Sequence, residues 1–226
     1  SFKQAKFNPL FAKTMKTAKK DKKEQGLSTR ATIIAGPCSA ESPHQLMQAA
    51  KALAATGKVD YFRAGIWKPR TLPGSFEGVG SIGLSWLQEV KSETGLPVCT
   101  EVASVQHVEQ ALKHSIDLVW IGARTVSNPF LIQEIAERLQ GCDIRVMVKN
   151  PMAPDLDLWQ GSIERFIRAG VTDVQAIHRG FSVHTKQIFR NQPLWEIPME
   201  LKRRMPELKI ICDPSHISGK RSLVPQ

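Results

Sequence analysis

Seven short apolar runs alternate with segments of helical spacing from residue 31 to residue 213, and this alternation restricts the possible folds more than any other feature. Each run has the length and composition of a buried strand. The runs are 31–35, 59–66, 97–102, 117–122, 145–149, 172–178 and 208–213. Between them apolar residues recur at helical intervals, as over 80–94 and 159–169. Strict alternation of strand and helix predicts an α/β fold with a parallel sheet and outer helices.

Polar residues that follow these runs favour a closed barrel over an open doubly wound sheet. An open nucleotide-binding sheet carries a glycine-rich turn directly after an early strand, and no such turn directly follows an early run here. A (β/α)8 TIM barrel places functional residues past the end of nearly every strand, on one rim. The residues in such positions are Cys38, Arg63, Lys68, Arg70, Thr71, Glu101, Arg124, Lys149, Arg179, Asp213 and His216.

The net charge of +10 is concentrated near the start of the chain. Residues 1–30 contain nine Lys and Arg against two acidic residues. This difference predicts a basic N-terminal extension over 1–30 and a barrel domain over 31–226. Such an extension can bind nucleic acid by counterion release, but no aromatic residue lies within its lysine run. A solvated or subunit-packing extension, without nucleic acid, is therefore favoured.

Three features of the sequence indicate the cellular compartment of the protein. The longest apolar stretch, 118–123, is far shorter than the roughly 18 residues of a membrane span, and no signal peptide opens the sequence. The four cysteines lie far apart, at 38, 99, 142 and 212, without CxxC spacing. We therefore expect a cytoplasmic protein without membrane contact, a disulfide framework or a zinc ribbon.

The rim predicted above has a strong positive bias. Six of its members are cations, although the barrel portion as a whole is nearly neutral: Arg63, Lys68, Arg70, Arg124, Lys149 and Arg179. Like charges in one cavity repel and lose hydration unless anions occupy it, and Arg is well shaped to bind phosphate or carboxylate. The sequence thus predicts anionic substrates that carry more than one phosphate. A single strand-end Arg paired with a surface acid is the structural alternative.

Cys38 and His216 form a second candidate group. Cys38 follows Gly36 and Pro37 at the end of the first run, and His216 follows the seventh run, which lies beside the first around a barrel. A thiolate and an imidazole are half of a typical site for a divalent transition metal. A buried cysteine and a structural histidine are the plainer interpretation of each residue taken alone.

Seven segments, taken in order, resemble one enzyme family. They are IIAGPCSAES (33–42), FRAGIWKPRT (62–71), GLPVCTEVA (95–103), DLVWIGART (117–125), VMVKNPM (146–152), IHRGFS (177–182) and CDPSHISGKR (212–221). Together they resemble type I 3-deoxy-D-arabino-heptulosonate 7-phosphate (DAHP) synthases, in the branch related to 3-deoxy-D-manno-octulosonate 8-phosphate (KDO8P) synthases. A KDO8P synthase-like enzyme is the alternative. The KPRT run at 68–71 favours the DAHP enzymes, because the KDO8P enzymes have an Asn-containing segment there.

The resemblance implies a TIM barrel that condenses phosphoenolpyruvate with erythrose 4-phosphate, the first step of the shikimate pathway. By this resemblance Arg124, Lys149 and Arg179 would hold the phosphate of phosphoenolpyruvate. Arg63 and Lys68 would lie at its carboxylate.

The remaining implied roles concern the second substrate and the chemistry. Arg70 and Thr71 would hold the phosphate of erythrose 4-phosphate. Glu101 would position phosphoenolpyruvate or the reacting water, and Lys68 is a candidate proton shuttle. Asp213 is a weaker candidate for supporting the site.

The resemblance further implies a divalent metal ion held by Cys38 and His216, with Mn²⁺ expected first and Fe²⁺, Co²⁺ or Zn²⁺ as alternatives. In the family an eighth βα unit supplies a Glu and an Asp that complete the four ligands. Because the sequence ends at Gln226, that unit is expected to be missing from this chain, which puts its activity in question. A homodimer or homotetramer is implied, and some relatives carry a chorismate mutase domain beyond the barrel.

Two further alternatives stay open. The first is a non-catalytic phosphate-binding fragment, which a missing eighth unit would produce. The second is a barrel aldolase that forms a Schiff base, with Lys149 at a strand end as its nucleophile. The neighbouring Arg residues and Cys38 favour the synthase over the second alternative.

Overall fold

The computed structural model describes residues 30–70, 74–184 and 187–225. Within these ranges seven strands form one parallel sheet whose order follows the sequence. The strands are β1 Ile34–Ala35, β2 Tyr61–Arg63, β3 Val98–Val102, β4 Leu118–Ile121, β5 Arg145–Lys149, β6 Val174–His178 and β7 Lys209–Cys212. An open doubly wound sheet reverses its strand order at a switch point. This uninterrupted order is therefore typical of a TIM-barrel-like wall, and the predicted parallel α/β fold is confirmed.

Helices connect the strands, as the alternation predicts. They are α1 Pro43–Ala54, α2 Ile82–Thr94, α3 Val105–Lys113, α4 Pro129–Arg138, α5 Leu156–Arg168, α6 Glu196–Arg204 and α7 Pro214–Ser218, followed by a 3-10 turn at Arg221–Leu223. In the part of the chain that the structure describes, β1 and β7 each pair on one side only.

Short polar side chains determine where several helices begin. The side chains of Ser42, Ser104 and Asn128 each accept a hydrogen bond from the backbone N–H three residues further on. Asp155 does the same, so the fifth helix begins at Leu156 rather than at 159, where the apolar spacing places its start. The helix boundary predicted there is wrong because a capping side chain, not apolar periodicity, sets it.

One segment, 78–83, has the glycine spacing GxGxxG of nucleotide-binding turns. It precedes α2, but β2 ends far upstream at Arg63. A dinucleotide-binding turn joins a strand directly to its helix. The segment lacks that context and does not support a nucleotide-binding sheet.

Side chains alternate between the two faces of the sheet, as in any strand. One face packs against the helices and forms the main apolar core, with residues such as Phe62, Val146 and Trp159 fully buried. The other face carries a smaller cluster formed by Cys99, Leu118, Trp120, Met147 and Ile177. This inner cluster is the floor beneath the strand ends.

The predicted basic extension over 1–30 lies outside the described residues, apart from Arg30. The compact unit that contains the sheet begins at Ile33. Across the described ranges, the helices are all too short or too polar to cross a bilayer.

Candidate active site

The carboxyl ends of the strands bring most of the predicted rim residues to one edge of the sheet. Parallel strands all end at the same edge, so inward side chains at their last positions share one mouth. We call this set of side chains the mouth cluster: Cys38, Arg63, Lys68, Glu101, Lys149, Arg179, Asp213 and His216.

Two cations converge on Cys38. The ammonium Nζ of Lys68 donates a hydrogen bond to the carbonyl of Cys38 and lies 3.6 Å from its Sγ. Arg63 Nη2 donates to the same carbonyl at 3.3 Å. Gly65 makes room for this contact, because a Cβ there would overlap Nζ of Lys68 and the carbonyl of Cys38. Gly36, with a φ of 147° that suits glycine, lets the backbone after β1 lie close to the carbonyl of Arg63.

The thiol of Cys38 also meets the imidazole of His216. A hydrogen bond with His216 lowers the pKa of Cys38 from 9.0 to about 6, against the effect of burial, and the charges of Lys68 and Arg63 act in the same direction. The first helical turn after β7 positions His216, because Asp213 caps α7 and accepts from the backbone N–H of His216 at 3.2 Å. Nδ1 of His216 lies 2.8 Å from Oδ2 of Asp213.

This arrangement fits part of a site for a transition metal ion. A thiolate and an imidazole are suitable soft and borderline donors, and a carboxylate beside the imidazole is the usual orienting partner of a metal-bound His. The described residues contain no group of three or more His, Cys, Asp or Glu able to hold a metal ion. Cys38 and His216 would therefore supply two ligands, and their role as ligands stays a prediction.

Glu101 is fixed at the floor of the mouth. It is only 8% exposed, and its Oε2 accepts a hydrogen bond of 3.0 Å from the indole Nε1–H of Trp120. Glu101 and Trp120 are directly opposite each other in the register of β3 and β4. The carboxylate therefore has one buried, well-defined position.

Lys149, which is buried, and Arg63, which is half-buried, bring positive charge to the same floor. Burial lowers the pKa of Lys149, while Asp213, with Oδ2 at 3.4 Å from Nζ, opposes that effect. Arg63 lies over the indole ring of Trp120, with Cζ at 4.8 Å from the ring centroid. Its Nε has no exposed surface and no hydrogen-bond partner among the described residues. A buried guanidinium N–H of this kind is suited to an anionic ligand.

Arg179 is, with Lys149, the second buried cation of the mouth cluster. Asn150, which is fully buried, accepts from the backbone N–H of Arg179 at 2.7 Å and donates to the carbonyl of Gly180. The guanidinium itself donates to neutral acceptors, the Gly180 carbonyl at 3.1 Å and the sulfur of Met152 at 3.5 Å. Burial lowers the pKa of Arg179, Asp213 opposes that effect, and the nearby charges of Arg190 and Arg124 act with burial, so that the pKa is about 10.

Three predicted substrate-binding residues lie elsewhere or outside the described ranges. Arg124 is exposed after β4, within electrostatic range of Arg179. Arg70 is exposed and donates from Nε to the carbonyl of Phe76 at 2.9 Å, in its own loop. Thr71 is not among the described residues.

Several residues that support the mouth carried no sequence prediction of their role. Asn191 donates to the carbonyl of His216 at 2.6 Å and thereby holds the turn after β7. Trp120 contacts three mouth residues, yet in the sequence it is one more apolar residue of a buried run. His178 lies among the rings of Trp159, Phe181 and Trp195, and burial lowers its pKa to about 4. His178 is therefore a neutral packing residue.

The fold and the site define a TIM-barrel-like α/β protein whose strand ends form a cationic mouth beside a thiol–imidazole pair. The chain belongs to the DAHP synthetase I family, whose sequence model matches residues 13–226. The family resemblance drawn from the seven motifs is thereby confirmed.

Two relatives show how far the similarity extends. The chain is 32% identical over 193 residues to a phospho-2-dehydro-3-deoxyheptonate aldolase of Thermotoga maritima, covering 85% of this chain and 55% of that protein. A 2-dehydro-3-deoxyphosphooctonate aldolase of Nitratidesulfovibrio vulgaris is 37% identical over 82 residues, or 34% of this chain and 30% of that protein. The chain thus spans about half the length of the first of these relatives.

Solved structures are similar in fold. The crystal structure of the Thermotoga maritima DAHP synthase superposes with a TM-score of 0.74 at 31% identity, over 85% of this chain and 54% of that one. A truncated form of the 3-deoxy-D-arabino-heptulosonate 7-phosphate synthase from the same organism gives a TM-score of 0.71 at 30% identity, over 85% of this chain and 67% of that one.

Proposed function

We propose that this chain forms the catalytic barrel of a DAHP synthase, which condenses phosphoenolpyruvate with erythrose 4-phosphate. The observation that carries the proposal is the convergence of Arg63, Lys68 and Lys149 on one mouth beside the Cys38–His216 pair. Membership of the DAHP synthetase I family reduces the number of anionic substrates to be considered for this mouth. The complete eight-stranded barrel and a homo-oligomeric assembly belong to the same proposal.

The buried cations account for binding of the first substrate. In this proposal Lys149 and Arg179 hold the phosphate of phosphoenolpyruvate, with Arg124 at the entrance. Arg63, with its unpartnered Nε, and Lys68 lie at the carboxylate. Because Lys149 and Arg179 are buried and Arg63 and Lys68 are half-buried, an anion would gain more from these four cations than from fully solvated side chains. Arg70 and Thr71 hold the phosphate of the tetrose.

The condensation forms a C–C bond and a C–O bond, breaks the bond between C2 and the phosphate oxygen, and moves one proton from the water to the aldehyde oxygen. C3 of phosphoenolpyruvate attacks the aldehyde carbon of erythrose 4-phosphate, water adds at C2, and the C2–O bond breaks to release inorganic phosphate. Glu101, fixed by Trp120, orients the water at C2. Lys68 holds or moves a proton at Nζ, since burial lowers its pKa. The cations stabilise the departing phosphate.

A divalent metal ion, with Mn²⁺ as the first choice, would be held by Cys38 and His216 in this proposal. When bound, such an ion acts as a Lewis acid on the aldehyde oxygen. The carboxylate of Asp213 orients the imidazole from its other side.

The test measures release of inorganic phosphate by the 226-residue chain with Mn²⁺. We expect release only when phosphoenolpyruvate and erythrose 4-phosphate are both present. Replacing the tetrose with arabinose 5-phosphate tests the KDO8P alternative, which predicts the opposite preference. Phosphoenolpyruvate binding without turnover under Mn²⁺, Fe²⁺, Co²⁺ or Zn²⁺ would instead support a phosphate-binding fragment.

A pair of Arg variants tests the assignment of the mouth. Arg179→Lys shortens the side chain and removes the planar guanidinium, so we expect the Kd of phosphoenolpyruvate to rise about tenfold. Arg168→Lys is the matched control, because Arg168 is exposed on α5 and pairs with Glu164. Equal effects of the two variants would refute a phosphate site at Arg179.

A further inference from the structure

Trp120 lies between the functional side chains of the mouth, and the proposed reaction uses it only as the hydrogen-bond donor to Glu101. It sits on β4 and is only 2% exposed. Its neighbours in the register are Glu101 on β3 and Met147 on β5. The indole thus lies between the apolar floor and the charged mouth above it.

The N–H edge of the indole fixes the carboxylate of Glu101. Nε1–H donates to Oε2 at 3.0 Å, and both side chains are buried. The second oxygen, Oε1, rests against Gly122, where a Cβ would overlap it. One oxygen is held by a donor and the other is confined by the backbone, so rotation of the carboxylate is restricted.

The ring of the same indole contacts two cations. Arg63 Cζ lies 4.8 Å and Lys149 Nζ 5.9 Å from its centroid, both within the range of cation–π attraction. A carboxylate at this position would attract the cations too, but it would also neutralise them. A neutral ring holds the cations in place and leaves their charge for an anion.

We propose that Trp120 is a positioning residue of the mouth: its N–H sets Glu101, and its ring sets Arg63 and Lys149. The functional readouts rest on the proposed function, since they use phosphoenolpyruvate. The indole edge supports the chemical step through Glu101, and the indole face supports substrate binding through the cations. The N–H edge of the indole should therefore affect kcat, and its ring face should affect the Kd of phosphoenolpyruvate.

Two variants separate the edge from the face. Trp120→Phe keeps an aromatic face and removes the N–H, so we expect kcat to fall about tenfold while the Kd of phosphoenolpyruvate changes less than about twofold. Trp120→Leu removes the face as well, so we expect that Kd to rise about tenfold in addition.

Trp159→Phe is a matched control for the loss of a buried indole N–H. Trp159 is fully buried, and its Nε1–H donates to the carbonyl of Val148 at 3.1 Å, but it packs in the helix-side core. We expect this variant to lower the urea midpoint while leaving kcat and Kd within about twofold of the wild type. If Trp120→Phe behaves like Trp159→Phe, Trp120 has only a structural role and the proposal is overturned.

A double-mutant cycle tests the proposal without substrate. Trp120→Phe and Glu101→Met are combined, and the shifts in the urea midpoint are compared with their sum. A combined shift clearly smaller than the sum shows that the N–H and the carboxylate are coupled, and additive shifts refute the coupling. If the wild type neither binds nor consumes phosphoenolpyruvate, the proposed function fails, while the cycle still decides whether Trp120 positions Glu101.

Discussion

Replacing Gly122 with Ala is expected to displace Glu101 without harming the fold. A methyl group at Gly122 would overlap Oε1 of Glu101 and lie 3.0 Å from its Cδ. To regain ordinary van der Waals contact at 3.4 Å, Oε1 must retreat by about 1.3 Å from its 2.1 Å overlap, which also stretches the bond of Glu101 with Trp120. A misplacement of about 1 Å at a reacting group can cost about 100-fold in rate.

The assay is steady-state phosphate release, with the midpoint of thermal unfolding measured on the same samples. We expect kcat of Gly122→Ala to fall by between about 10- and 100-fold. We also expect the free energy of unfolding to fall by only about 1–2 kcal/mol, the cost of weakening the buried hydrogen bond between Glu101 and Trp120, because the overlapping atom is a side-chain end and not backbone.

Gly161→Ala is the matched control. Gly161 lies within α5, and an added Cβ would meet no atom within 4 Å. This variant is expected to raise stability by about 0.5–1 kcal/mol and to leave kcat unchanged. Wild-type kcat in Gly122→Ala would show that the position of Glu101 does not matter for the chemistry.

Two further changes probe the thiol and the opposite end of the sheet. Cys38→Ser replaces a thiolate with a poor ligand, so the ligand-to-metal charge-transfer absorption of added Co²⁺ should disappear; retention of that absorption would exclude Cys38 as a ligand. Burial alone would raise the pKa of Asp173, but hydrogen bonds from Gln175 and Arg145 hold that pKa below 3.8. A carboxyl group whose pKa is lower in the folded protein than in the unfolded chain stabilises the fold at pH values above its unfolded pKa. This stabilisation is lost as the pH falls through the folded-state pKa. Since Asp173 is 38% exposed, Asp173→Asn should remove at most about 1 kcal/mol of acid-dependent stability, measured as a smaller fall in Tm between about pH 5 and pH 2. An unchanged pH profile would contradict this.

Periodicity and charge type made the fold and the cationic mouth predictable. A run such as 145–149 shows its strand as a short apolar stretch buried on both faces, and the parallel order then places its last residue, Lys149, at the common edge. The proximity of Cys38 and His216 needs one step more, because β1 and β7 lie at opposite ends of the strand order and their ends meet only when the sheet curls into a barrel-like wall. Residues fixed to strand ends by the backbone can therefore be placed from the sequence.

Residues in loops are less predictable. Arg70 carries the same type of charge as Arg63, but it comes seven residues after the end of β2 and bonds to the carbonyl of Phe76 in its own loop. Nothing in the strand pattern specifies the path of such a segment. Thr71 adjoins it and lies outside the described residues.

The role of Trp120 was hidden for a different reason. In the run 117–122 it satisfies the apolar pattern, and its burial is what that pattern predicts. Its polar N–H matters only because β3 places Glu101 directly opposite and β2 brings Arg63 over the ring. A contact between strands depends on register, and register is not encoded in either strand alone. The supporting residues of a barrel mouth are therefore the part of the site that sequence patterns least reveal, even where its charged residues are evident.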